Sequence, residues 1–143
     1  MKSLFKLLAC ILVIFTLTLT TTSCGKYEDG PSISLRSKKA RLTGEWSIES
    51  VTFNGTDNTS AYTTLLGSNY ILEIEGDGTY KTKGNSPSDG TWKFGEDKDD
   101  VYFKGSASGS TEVANRILRL ANKELWLKST ASNGDVTIVK YKQ

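Results

Sequence analysis

The densest group of chemically capable side chains in this sequence is Glu96-Asp97-Lys98-Asp99-Asp100. Carboxylates packed this closely supply oxygen ligands for Ca²⁺ or an acid–base pair for glycoside hydrolysis. Their spacing does not follow a calcium loop, and Lys98 puts a positive charge in the middle, so a solvated turn is the simpler expectation. Gly105-Ser106-Ala107-Ser108-Gly109-Ser110 lacks the Gly-Lys-Ser ending of a phosphate loop and reads as a flexible hairpin tip. Histidine is absent from all 143 residues. That removes imidazole acid–base catalysis, the Ser-His-Asp and Cys-His nucleophiles and the usual zinc sites. No serine stands in a Gly-x-Ser-x-Gly turn. The expectation is a protein that is not an enzyme and uses no metal or cofactor.

The two cysteines, Cys10 and Cys24, belong to the N-terminal segment. Lys2 and Lys6 precede an apolar run from Leu7 to Leu19, about 13 residues against the roughly 20 that span a bilayer, so residues 1–23 read as a signal peptide rather than a permanent transmembrane helix. Ser23-Cys24 at its end resembles a lipobox. The resemblance implies that Cys24 is acylated with palmitate-type chains and becomes the mature N-terminus; several such chains would hold the protein firmly on a membrane. No aspartate follows Cys24, which by the same resemblance points to the outer membrane. Gly25-Lys26-Tyr27-Glu28-Asp29 is similar to the surface-export signals of Bacteroidota lipoproteins, and an ordinary polar tether fits the same residues. Surface and periplasmic orientation both stay open.

Once the signal is removed, about 120 residues remain, enough for one domain with a modest core. Cys10 leaves with the signal and Cys24 carries lipid, so no disulfide is available and packing alone must hold the fold. The formal charge is +2, with lysines and acids interspersed. One basic run, Arg36-Ser37-Lys38-Lys39-Ala40-Arg41, closes a linker over residues 24–41. It reads as a solvated linker end, with contact to an anionic membrane or glycan surface as the sharper alternative. It has no interleaved aromatics, and nothing indicates nucleic acid as a partner. A monomer is expected.

Residues 42–143 must position whatever the chain binds. Short β-rich runs alternate there with turn clusters, and no stretch has a helical period long enough for a stable helix. Eight strands are expected, over residues 44–53, 70–75, 79–83, 90–94, 100–104, 113–120, 124–128 and 135–141. Gly76-Asp77-Gly78, Asn122-Lys123 and Ser132-Asn133-Gly134 are tight links that join neighbours antiparallel. An up-and-down meander of eight strands with no covering helix leaves two edges, which closure into a barrel removes. Apolar residues alternate to suit one buried face: Trp46 with Ile48, Tyr70 with Leu72 and Ile74, Trp92 with Phe94. In the last strand Val136 and Ile138 suit one face, Val139 and Tyr141 the other. Residues 54–69, about 16 in a domain of short links, form a loop long enough to be functional. Tyr62, Leu65 and Leu66 fit it as a lid over one mouth.

The ordered set Gly44-x-Trp46, a long first loop, Gly76-Asp77-Gly78-Thr79-Tyr80, Gly90-Thr91-Trp92 and Leu120-x-x-x-Glu124-Leu125-Trp126-Leu127 resembles the small lipocalin-like domains of Bacteroidota lipoproteins. The resemblance implies an all-β, eight-stranded antiparallel barrel. Gly44 and Trp46 would close its floor, and the late arginine of lipocalins would be Arg116 or Arg119. Two functions then stand side by side. The barrel binds a small hydrophobic or amphipathic ligand, with Ile48, Tyr62, Leu65, Leu66, Tyr70, Leu72, Tyr80, Trp92, Phe94, Phe103 and Leu118 as candidate lining. Alternatively its own aromatics fill it, and the outer surface binds a protein or glycan at the cell surface.

Overall fold

The computed structural model describes Tyr27, Glu28 and residues 35–143. The signal segment and Cys24 lie outside the described residues. Among the described residues, two short helices and nine strands follow in chain order: α1 (Lys38–Leu42), β1 (Gly44–Phe53), β2 (Thr56–Asp57), α2 (Thr59–Leu66), β3 (Ile71–Ile74), β4 (Thr79–Lys83), β5 (Ser88–Phe94), β6 (Asp100–Gly105), β7 (Glu112–Leu120), β8 (Glu124–Thr130) and β9 (Val136–Lys142).

Every strand from β3 to β9 pairs antiparallel with its neighbour in sequence, β1 pairs with β3, and β1 also pairs with β9. The result is a closed eight-stranded up-and-down barrel, with β2 a two-residue flap on the end of β1. The expected strands are all present, their ends within two residues of the expected positions. Closure pairs the backbone groups that an open sheet would leave at its edges.

Register decides which side chains turn inward. Trp46 faces Leu72 across β1–β3, Ile74 faces Tyr80 across β3–β4, and Trp92 faces Phe103 across β5–β6. Tyr141 pairs with Leu125 and Ile48, and Val139 with Leu127 and Val51. The ambiguity of the last strand is thereby resolved: Tyr141 and Val139 join the core, while Val136 and Ile138 face outward. A bulge between Ile48 and Ser50 keeps Val51 and Phe53 on the inner face after the alternation slips by one.

Two expectations are corrected. The basic run is not merely a solvated linker end, for Lys38–Leu42 folds into α1 across one end of the barrel. Ser37 caps it by accepting the Ala40 N–H at 3.1 Å. Leu42 and Arg41 are buried, and the Arg41 guanidinium donates to the Leu120 carbonyl. Arg41 is thus a buried arginine at the closed end. Arg119 instead pairs with Glu124 on the outer face, and Arg116 pairs with Asp99 and Asp100. The long first loop also contains a helix, α2, where none was expected. Eight residues are too few for helical stability on their own, so tertiary bonds must hold α2. Val51 N–H donates to the Thr59 hydroxyl at 2.9 Å, and Asn85 serves the other end.

Candidate ligand-binding mouth

The two ends of the barrel differ in how completely they are filled. At the end closed by α1, Leu42, Trp46, Ile74, Val101, Ile117, Leu120 and Leu125 are no more than 1% exposed. Trp46 donates its indole N–H to the Leu42 carbonyl at 2.8 Å. At the opposite end the inward positions of the same wall, Phe53, Tyr80, Phe103, Asn115, Ser129, Thr137 and Val139, are only half-buried, and Val113 is 54% exposed.

One side of this mouth is covered by α2. Its last turn is held by Asn85 from the β4–β5 link, whose backbone N–H donates to the Leu66 carbonyl at 2.7 Å and whose side-chain amide reaches the Thr64 and Leu65 carbonyls. Gly84 lies so close under the Leu66 carbonyl that a side chain there would collide with it. Tyr62 on α2 meets Tyr70, Tyr80 and Tyr141 beneath it. Burial pushes the Tyr141 phenol up, and its neighbours Tyr70 and Tyr62 add to the effect; burial and Tyr80 do the same to Tyr70. With their phenols raised by burial, Tyr70, Tyr80 and Tyr141 stay neutral at neutral pH and do not act as bases.

The other side of the mouth is open. The β7–β8 ladder runs from Leu120↔Leu125 only as far as Arg116↔Lys128, although β7 begins at Glu112 and β8 continues to Thr130. The two strands part there while remaining paired to β6 and β9. The bulge between Ile117 and Arg119 adds local twist, which accounts for the divergence. The gap is a cleft of about 750 Å³, lined by Phe53, Val113, Ala114, Ser129 and Thr137, with Glu112 and Asp135 among its acidic residues. No lysine or arginine lines it. Glu112 is 2.7 Å from Lys93. Asp135 accepts amide N–H groups from Asn54 and Asn133, which hold its carboxyl below the usual carboxylate range. Lys93 offsets the Glu112 charge, so the negative charge beside the apolar wall comes from Asp135.

The residues singled out from sequence distribute over several roles. Leu72 and Trp92 are core; Trp92 donates to the Glu75 carbonyl at 2.8 Å and meets Phe94 edge-on at 5.4 Å. Ile48, Tyr70, Tyr80, Phe94 and Phe103 pack half-buried against that core. Tyr80 meets Phe103 edge-on at 5.1 Å above Gly90, where an added Cβ would lie 2.8 Å from the tyrosine ring. Leu118 is buried at the β7 bulge, outside the main cluster. Tyr62 and Leu66 are half-buried on α2. Leu65, expected to fold inward, is 70% exposed on its outer side, because a helix turns successive residues 100° apart. Phe53, Val113, Ser129 and Thr137 were not singled out: the β1 bulge hides Phe53 from simple alternation, and the parting of β7 from β8 has no sequence motif. The acidic turn is occupied by cations, Asp99 by Lys38 at 3.3 Å and by Arg116 at 3.4 Å. Among the described residues no group of three or more His, Cys, Asp or Glu is placed to hold a metal.

No known family model matches the chain, and no curated protein matches it in sequence.

Proposed function

We propose that this chain is a lipocalin-like barrel, anchored to the outer membrane through acylated Cys24, that binds a small neutral or cationic amphipathic molecule in its half-open mouth. The observation that carries the reading is the contrast between a solid closed end and inward-facing apolar residues left accessible where β7 and β8 part. A ligand's apolar part would replace water on Phe53 and Val113. Its polar head would meet the hydroxyls of Ser129 and Thr137. The Asp135 carboxylate, held by neutral amides alone, disfavours a fatty acid, because a second carboxylate within a few ångströms is repelled in this partly desolvated space.

Calorimetric titration with three ten-carbon probes tests this. Decyltrimethylammonium and decanol should bind, and decanoate should bind at least about tenfold more weakly at pH 7. Val113→Lys should weaken the cation and strengthen decanoate. Preference for decanoate in the parent protein would contradict the reading. Absence of binding by all three would favour the second function, a surface module for a protein or glycan partner, which the solid packing of the closed half also supports.

A further inference from the structure

Tyr27 is the one described residue of the early linker that enters the core. It is 2% exposed, its hydroxyl donates to the Lys98 carbonyl at 2.8 Å, and the Lys38 ammonium sits 4.5 Å from its ring centroid. These contacts fasten the linker to the closed end of the barrel. Only three peptide steps separate Tyr27 from Cys24, a reach of about 11 Å at full extension, whereas a linker free up to α1 would span about 50 Å. The same end carries exposed basic residues. Arg36 donates to the Asn122 side chain, Lys39 lies on α1, Lys123 lies on the β7–β8 turn with its carbonyl accepting the Gln143 N–H, and Lys142 ends β9. On the neighbouring β5–β6 turn Asp99 and Asp100 are paired with Lys38 and Arg116, leaving Glu96 and Asp97 exposed.

We infer that the closed end of the barrel is a membrane-docking surface, held against the bilayer by Tyr27 and met by phosphate-bearing headgroups at Arg36, Lys39, Lys123 and Lys142. The inference rests on Cys24 being acylated. With a tether of about 11 Å the basic side lies within about one to two Debye lengths of the lipid surface, close enough for headgroup charge to be felt. Glu96 and Asp97, together with Glu75 and Asp77 on the β3–β4 turn at the same end, tilt the contact toward α1 and the β7–β8 turn. The mouth then opens away from the membrane.

The test uses the full chain, acylated in cells, purified in detergent and reconstituted into vesicles of phosphatidylethanolamine and phosphatidylglycerol containing a headgroup-level quencher lipid. A fluorophore is attached to Asn122→Cys at the closed end or to Ser108→Cys at the mouth, on the order of 20 Å away along the strands. Mass spectrometry of the N-terminal peptide is read first, and an unmodified Cys24 overturns the anchor itself. With Cys24 acylated, quenching at position 122 should exceed that at 108 at least twofold, and Lys39→Glu with Lys123→Glu should halve the difference. Equal quenching, or stronger quenching at 108, overturns the docking orientation. An unchanged difference in the charge-reversed variant overturns headgroup contact. Tyr27→Ala, by lengthening the free tether, should erase most of the difference while leaving the acyl group in place.

Discussion

Trp46 and Leu42 are joined by a 2.8 Å hydrogen bond from the indole N–H to the carbonyl that ends α1. This single contact links the glycine–tryptophan element at the start of β1 to the helix that closes the barrel. Trp46 is wholly buried, so its large apolar surface and its one polar atom are both satisfied there. Trp46→Ala should cost about 3–5 kcal/mol in a denaturant titration, with or without an amphiphile present. An unchanged midpoint with lost probe binding would make Trp46 a ligand contact instead.

Arg41 holds the same floor from the other side through its bond to the Leu120 carbonyl. The guanidinium is buried with one Nη bonded there and its Nε without a hydrogen-bond acceptor among the described residues, and a bond to a charged group contributes about 1.5–3 kcal/mol. Arg41→Ala should destabilise by about that amount, and Arg119→Ala, on the outer face, by under about 1 kcal/mol. Equal losses from the two would contradict the assignment of Arg41 as a buried closed-end arginine.

The buried phenols give the fold an alkaline limit. Burial raises the Tyr141 and Tyr27 phenols above their ordinary value of 10.0. Above about pH 10 the unfolded chain releases these protons while the native state retains them. Stability is therefore complete below that pH and falls as pH rises, by at most about 1.4 kcal/mol per pH unit for each group. Urea midpoints measured from pH 8 to pH 11 should decline above pH 10, and Tyr141→Phe should shallow the decline. A flat profile in the parent protein would show that neither phenol is buried in the native state.

Asn85 is the clasp on α2. Asn85→Ala removes the amide that serves the Thr64 and Leu65 carbonyls but leaves the backbone bond to Leu66. Amide exchange across Thr59–Leu66 should quicken several-fold, with global stability lowered by about 1 kcal/mol. Unchanged exchange in α2 would mean that the Thr59 contacts alone hold it.

The barrel was legible in the sequence because its strands alternate cleanly and its links are short. Trp46, Leu72, Trp92, Leu125 and Leu127 report their inward direction without help from distant contacts. The helices were not legible. Lys38–Leu42 and Thr59–Leu66 are too short and too rich in threonine or charge to announce themselves, and they exist through bonds to Leu120 on β7, Val51 on β1 and Asn85 in the β4–β5 link. The mouth was half legible. The long loop marked which end it covers, but the open side depends on where a ladder stops, at Arg116↔Lys128, and on two bulges that shift the alternation. Register of that kind is set by the pairing of whole strands.

The most direct measurement is a backbone and indole chemical-shift titration with decyltrimethylammonium. Perturbations should cluster at Phe53, Val113, Ser129 and Thr137 and saturate with a single dissociation constant, while the Trp46 indole N–H stays unmoved in its bond to Leu42. Saturable shifts centred on Trp46 and the closed end, or no saturable shifts at the mouth, would contradict a ligand-binding mouth on a solid floor.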